Sequence, residues 1–230
     1  MRLNKIASIS AGAALIAATV LTGPAAMAGE TITGTGASYT LSLQTECAAA
    51  YTAHKVTYVS KGSTTGRSDY TKGVSDFGGS DIIFKASETK PKNFTYVPLL
   101  GGPIANSFGY IDLADANKNA LAIAHLQNGS GQVLKPTIAN SKAFIEATSM
   151  KVNGEVIFDY NKKLRGAYNL SLVSYGIAPT KAGTAKADAV REYLTYFIKD
   201  CAPAKAAAVG YVALSGKFQA TALKLVAKVN

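Results

Sequence analysis

The chain has 230 residues, 48% of them hydrophobic, with two cysteines and a formal net charge of +10. That length suffices for one good hydrophobic core or a compact pair of lobes, and the two cysteines, Cys47 and Cys201, lie too far apart in sequence for a zinc or thiol-redox pair. The lysines are scattered through every segment rather than gathered into a stripe, so the positive balance points to solvated faces and anionic partners and argues against a nucleic-acid-binding protein.

At the start, Arg2 and Lys5 precede an apolar run from Ile6 to about Leu21, followed by Gly23, Pro24 and the small-residue signal Ala26-Met27-Ala28. This order predicts a secretory signal peptide, residues 1–28, cut after Ala28. The apolar run is short, turn residues interrupt it and no polybasic stop follows, which argues against a membrane anchor. No cysteine near the cut offers a site for lipid attachment. The mature chain, residues 29–230, is therefore expected to be periplasmic or secreted. In that setting Cys47 and Cys201 are expected to form one disulfide.

Short apolar or β-branched runs then alternate with segments of helical period, the pattern of an α/β protein. Thr31 to Gly34 reads as a strand, and Leu43, Cys47, Ala50 and Tyr51 fall on one face of the helix after it. Val56 to Val59 reads as a second strand, and "KGSTTGRSDYTKGVSDFGGSD", Lys61 to Asp81, follows it. After the polar linker "KASETKPKN" comes "YVPLLGGPIANSFGYIDL", an apolar run that Gly-Gly-Pro is expected to break. "ALAIAHLQNGSGQVL" reads as two strands around an Asn-Gly turn, and "LSLVSYGIA" as a buried strand. Val190, Leu194, Phe197, Ile198 and Cys201 mark an amphipathic helix, and a last one runs from about Lys217 to Val229.

Catalysis finds little material in this chain. His54 and His125 are its only imidazoles, and neither has a metal-ligand neighbour at helical or turn spacing. No Gly-x-Ser-x-Gly elbow occurs, so the expectation is a protein that is not an enzyme and uses neither metal nor cofactor. The segment at Gly62 fails as a Walker loop, because only three residues separate Gly62 from Gly66 and Arg67 stands where lysine is required. "GTGASY" fails as a dinucleotide fingerprint, with Tyr39 in the last glycine position.

Anion binding fits better. Gly34 and Gly36 allow a tight turn after the first strand, and Ser38 stands where a helix begins, offering unpaired N–H groups and the positive end of a dipole. Ser38 as a plain helix cap is the competing reading. The second strand repeats the arrangement with Gly62, Ser63, Thr64 and Thr65. Two helix starts that follow parallel strands can face one point beyond the carboxyl ends of the sheet. Asp81 ends the third element, "SDFGGSD"; a carboxylate only accepts hydrogen bonds, so beside an anion it would select one that carries a proton.

These three pieces resemble the phosphate-binding receptors of ABC transporters, the PstS-type family with the type II periplasmic binding fold. "ITGTGASY" resembles that family's first loop, and "GSTTGR" with "TKGVSDFGGSD" its second loop and acidic strand. The likeness continues through "YVPLLGG", "YNLSLVSYGIA" and "GYVALSGKFQATALKLV". It implies phosphate contacts from the backbone at Ala37 and Tyr39 and from Ser38, Ser63 and Asp81, with Asp81 accepting the proton of hydrogen phosphate and so rejecting sulfate. It also implies inorganic phosphate as ligand and ABC permease subunits as partners. One departure is large: the family inserts a second lobe carrying an Arg-x-Asp-Gly-Ser-Gly-Thr motif where only six residues here separate Gly102 from Gly109. "QNGSGQ", Gln127 to Gln132, mimics part of that motif but reads as a hairpin turn. Arg67 has two readings, a solvent-facing side chain or a partial replacement for the lost charge. The expectation is thus a single α/β lobe, a mostly parallel sheet flanked by helices, with residues 29–103 joined directly to 104–230 near Pro103 to Ala105. A second chain completing the cleft is one way to supply the missing lobe. A different class also fits the sequence: an exported interaction or scaffold protein that keeps the lobe with weak or no phosphate affinity.

Overall fold

The structure, a computed structural model, describes residues 29–106 and 110–230; the predicted signal peptide lies outside the described residues. Strand β1 (Thr31–Gly36) runs parallel to β2 (Lys55–Ser60), with Gly36 opposite Ser60. Parallel neighbours require a crossover. Here it is a 3₁₀ turn, Ser38–Thr40, leading into helix α1 (Leu41–Ala50). A second crossover through α2 (Ser63–Thr71) brings β3 (Phe77–Ser80) parallel to the other side of β1.

The rest of the chain fills the other half of the sheet. Strand β4 (Phe94–Asn106) pairs antiparallel with β5 (Tyr110–Asp112), with Ile104 opposite Asp112, and α3 (Leu113–Lys118) follows. Two short hairpins, β6 (Leu126–Gln127) with β7 (Val133–Leu134) and β8 (Ser149–Met150) with β9 (Val156–Ile157), flank α4 (Ile138–Glu146). Strand β10 (Ser171–Pro179) re-enters between β3 and β4, antiparallel to both. Helix α5 (Ala185–Tyr196) continues through a π-helical turn, Phe197–Cys201, into α6 (Ala202–Lys205), before β11 (Val212–Ala213) and α7 (Gly216–Val226). The strand order is β11-β4-β10-β3-β1-β2, with β5 beside β4.

This is one α/β lobe, with three corrections to the sequence reading. The sheet is mixed rather than mostly parallel, because strand–helix alternation governs only β1 to β3 and β10 enters from the opposite end. Gly101-Gly102-Pro103 does not break β4: a Cβ on Gly101 would lie 2.5 Å from Ile145, and one on Gly102 only 2.3 Å from the Tyr39 hydroxyl, so these glycines admit close neighbours within a continuous strand. On α1, Ala50 is exposed and Gln44 takes its expected place inside. The Tyr193 hydroxyl donates to Gln44 Oε1 at 2.6 Å, which satisfies the oxygen end of this buried amide.

Cys47 on α1 and Cys201 at the end of the π-helical turn are both buried and form the expected disulfide, with Cα atoms 5.8 Å apart. It links two segments separated by 154 residues. In the chain-entropy argument a loop of that length contributes about 5 kcal/mol. Alkylation without reductant is expected to leave both thiols unmodified by intact mass. Replacing both cysteines with alanine is expected to lower the urea unfolding free energy by several kcal/mol, and a change below about 1 kcal/mol would contradict this account.

Candidate functional site

The carboxyl ends of β1, β2 and β3 meet at one place because two glycines let their backbones touch. At Gly36 φ is +147°, and a Cβ there would lie 2.0 Å from the Gly79 carbonyl oxygen. Its own carbonyl accepts the amides of Lys61 and Gly62, both at 2.8 Å, which fixes the start of α2 against the end of β1. Gly66, on the first turn of α2, faces the same point: a Cβ would lie 2.5 Å from both Gly36 Cα and the Gly79 oxygen. The start of α2 and the end of β3 therefore lie together, and the first loop leaves the same junction, the Ala37 amide donating to the Gly79 carbonyl.

Ser63 and Asp81 are joined directly. The Ser63 hydroxyl donates to Asp81 Oδ2 at 3.1 Å and accepts the Asp81 amide at 3.0 Å. On the other side the Ser174 hydroxyl of β10 donates to Asp81 Oδ1 at 2.7 Å. Tyr58 crosses the same space, its hydroxyl donating to the Ala37 carbonyl at 2.8 Å. Burial, with the nearby Asp81 charge adding to it, holds the Tyr58 phenol protonated well above its ordinary range.

Ser38 is exposed on the 3₁₀ turn. It caps neither helical segment: the cap positions are Ala37 and Thr40, without side-chain cap bonds, so the capping reading is not what the structure shows. The Ala37 amide donates to Gly79 O at 3.0 Å and so is already engaged in the sheet, contrary to the expectation that it faces a ligand. Tyr39 is buried, its ring packed edge-on against Tyr211 at 5.1 Å. Ser38, Ser63 and Asp81 thus follow three neighbouring strand ends, while Ala37 serves the backbone beneath them.

Arg67 corrects both earlier readings. It is 1% exposed, and its guanidinium donates to Glu88 through Nε at 3.0 Å and Nη2 at 2.7 Å. These bonds, and then the Lys85 amide, hold the Glu88 carboxyl below the usual carboxylate range. Glu88 lies in the segment read as a polar linker. Ser174 also went unnoticed in the sequence, although a serine inside a buried strand such as "LSLVSYGIA" needs a partner. "QNGSGQ" is a hairpin turn, ordered by Asn128 Oδ1, which accepts the amides of Ser130 and Gln132. His54 is occupied structurally, accepting the Glu30 amide at Nδ1 and meeting Glu192 at 3.0 Å through Nε2. Among the described residues no group of three His, Cys, Asp or Glu is placed to hold a metal ion, and no helix is long and apolar enough to cross a membrane.

No protein-family model and no curated protein matches the sequence. In fold, the chain is similar to the crystal structure of a possible phosphate binding protein from Planctomyces limnophilus DSM 3776, with a TM-score of 0.58 at 13% identity over 87% of this chain and 98% of that one. The two chains share a fold. An ABC-type phosphate transport receptor from Vibrio cholerae also matches, at a TM-score of 0.47 and 13% identity over 79% of this chain and 99% of that one.

Two outcomes follow from this geometry. Gly66→Ala must push α2 away from β1 and β3, and urea unfolding is expected to show a loss of about 1–3 kcal/mol. Glu88→Gln removes a carboxyl whose acidity is increased by folding, so the stability difference from wild type is expected to be full above the ordinary value of 4.5 and to fade as pH falls through the lower folded value. A difference that persists unchanged in strong acid would contradict the second.

Proposed function

We propose that this chain is an exported inorganic-phosphate-binding protein, the substrate-binding component of a phosphate ABC uptake system or a truncated relative of one. The observation that supports this most is the carboxylate of Asp81, set between the hydroxyls of Ser63 and Ser174 at the start of a helix. The fold is shared with a chain described as a possible phosphate binding protein, and the loop motifs resemble that class.

The hydrogen-bond count suits a protonated anion. Ser63 donates its one hydroxyl proton to Asp81 Oδ2. A hydrogen phosphate can replace that donor with its own P–OH, freeing the Ser63 hydroxyl to donate to a phosphate oxygen. Sulfate carries no proton at neutral pH, so it would set a bare oxygen against the carboxylate. The first-turn amides of α2 and the Ser38 hydroxyl supply further donors, and the helix end favours negative charge. None of these steps makes or breaks a covalent bond, and the role is binding rather than catalysis.

The proposed single lobe joins residues 29–103 directly to 104–230 and leaves one side of the anion in water. Each hydrogen bond then competes with solvent for a net gain of only about 1 kcal/mol. Binding is expected near the millimolar range, about 4 kcal/mol. A second chain closing over the site would tighten it, because donors from both sides would then act in a low dielectric. The rival, a scaffold with little phosphate affinity, draws support from the Ala37 amide, which is spent on Gly79.

Calorimetric titration of residues 29–230 with phosphate and sulfate separates these readings. Millimolar phosphate binding with weaker sulfate binding is expected, and Asp81→Asn is expected to erode the preference, since an amide can donate to an unprotonated oxygen. Absence of phosphate binding at tens of millimolar would favour the scaffold. Submicromolar binding by the monomer would overturn the one-lobe affinity argument.

A further inference from the structure

One buried cation stands a helical turn behind the site. Arg67 lies four residues after Ser63 on α2, on the same face of the helix. Besides its two-point contact with Glu88, its Nη1 donates to the Ser80 hydroxyl at 2.9 Å. That hydroxyl donates onward to the Ile82 carbonyl at 2.5 Å, and the Ile82 amide points back to it at 3.4 Å. Ser80 and Ile82 are the residues on either side of Asp81. Glu88 is held in turn by the Lys85 amide at 2.6 Å. One guanidinium therefore fastens α2 both to the backbone that carries Asp81 and to the segment that leaves it.

Arg67 is buried and Glu88 partly exposed, and an ion pair that takes a charge out of water gains little net stability because desolvation offsets the attraction. Its planar, two-sided fork is a good device for fixing geometry. Glu88 also neutralises the charge, so Arg67 offers little net attraction to an anion. We infer that Arg67, with Glu88 as counter-ion and Ser80 as intermediary, is a positioning residue that keeps the Asp81 carboxylate between Ser63 and Ser174. Its consequence for anion selection rests on the proposed phosphate site. Its effect on the Asp81 backbone does not.

Two variants test this. Ser80→Ala cuts the link to Asp81 and keeps the ion pair. The double variant Arg67→Met/Glu88→Gln removes both charges together, so no buried charge is stranded. The readouts are the ratio of phosphate to sulfate affinity by calorimetry and amide hydrogen exchange at Asp81, whose N–H is bonded to Ser63. In both variants the ratio is expected to fall by about fivefold or more, toward that of Asp81→Asn, and Asp81 exchange to accelerate by a similar factor. A merely structural role would lower the melting temperature and leave the ratio where it was. Folded variants with unchanged ratio and unchanged exchange overturn the inference. If wild type binds neither anion, the proposed function fails on its own, and the exchange rate alone decides the positioning role: faster supports it, unchanged overturns it.

Discussion

The close approach of three backbones at Gly36, Gly66 and Gly79 is the constraint on which the rest depends. A side chain on Gly66 would make α2 stand off from β1 and β3, costing the Lys61 and Gly62 amides the Gly36 carbonyl, while one on Gly36 would strike the Gly79 backbone and one on Gly79 the Tyr58 hydroxyl. Ser63 would then no longer reach Asp81. The site is thus a by-product of backbone contact: small residues bring the strands and helix together, and the polar groups at their ends meet because nothing intervenes. The Arg67 network reinforces the same junction one turn deeper, with the Arg67 and Ser80 side chains buried and Glu88 reaching them from the edge of the core.

A second framework holds the far side. Cys47 and Cys201 join α1 to the late helices, and the aromatic rings of Tyr58, Phe77 and Tyr193 fill the space between sheet and helices. Tyr58 belongs to both parts, since its ring packs on Phe77 while its hydroxyl supports the Ala37 carbonyl. Packing within the core therefore bears directly on the first loop.

Much of this was legible in the sequence, for identifiable reasons. Strand–glycine–serine–helix patterns announce themselves locally, so β1, α1, β2 and α2 and the positions of Ser38 and Ser63 could be read from short windows. The disulfide followed from compartment and count. What escaped depends on pairings distant in sequence. That Ser174 would meet Asp81, 93 residues earlier, is set by β10 entering beside β3. The polarity of Arg67 and the acidity of Glu88 suggested solvent, whereas each neutralises the other at the edge of the core. Gly101 and Gly102 looked like a break because a glycine pair has two uses, turning a chain and admitting a neighbour, and only the neighbour distinguishes them.

The antiparallel pairing of β4 with β5 bears on how such a chain can change. Asn106 stands opposite Tyr110, and antiparallel partners of this kind lie about 5 Å apart. Domains commonly have their two termini close together on the surface. Extra chain inserted between these two residues would therefore leave the strands on either side in register.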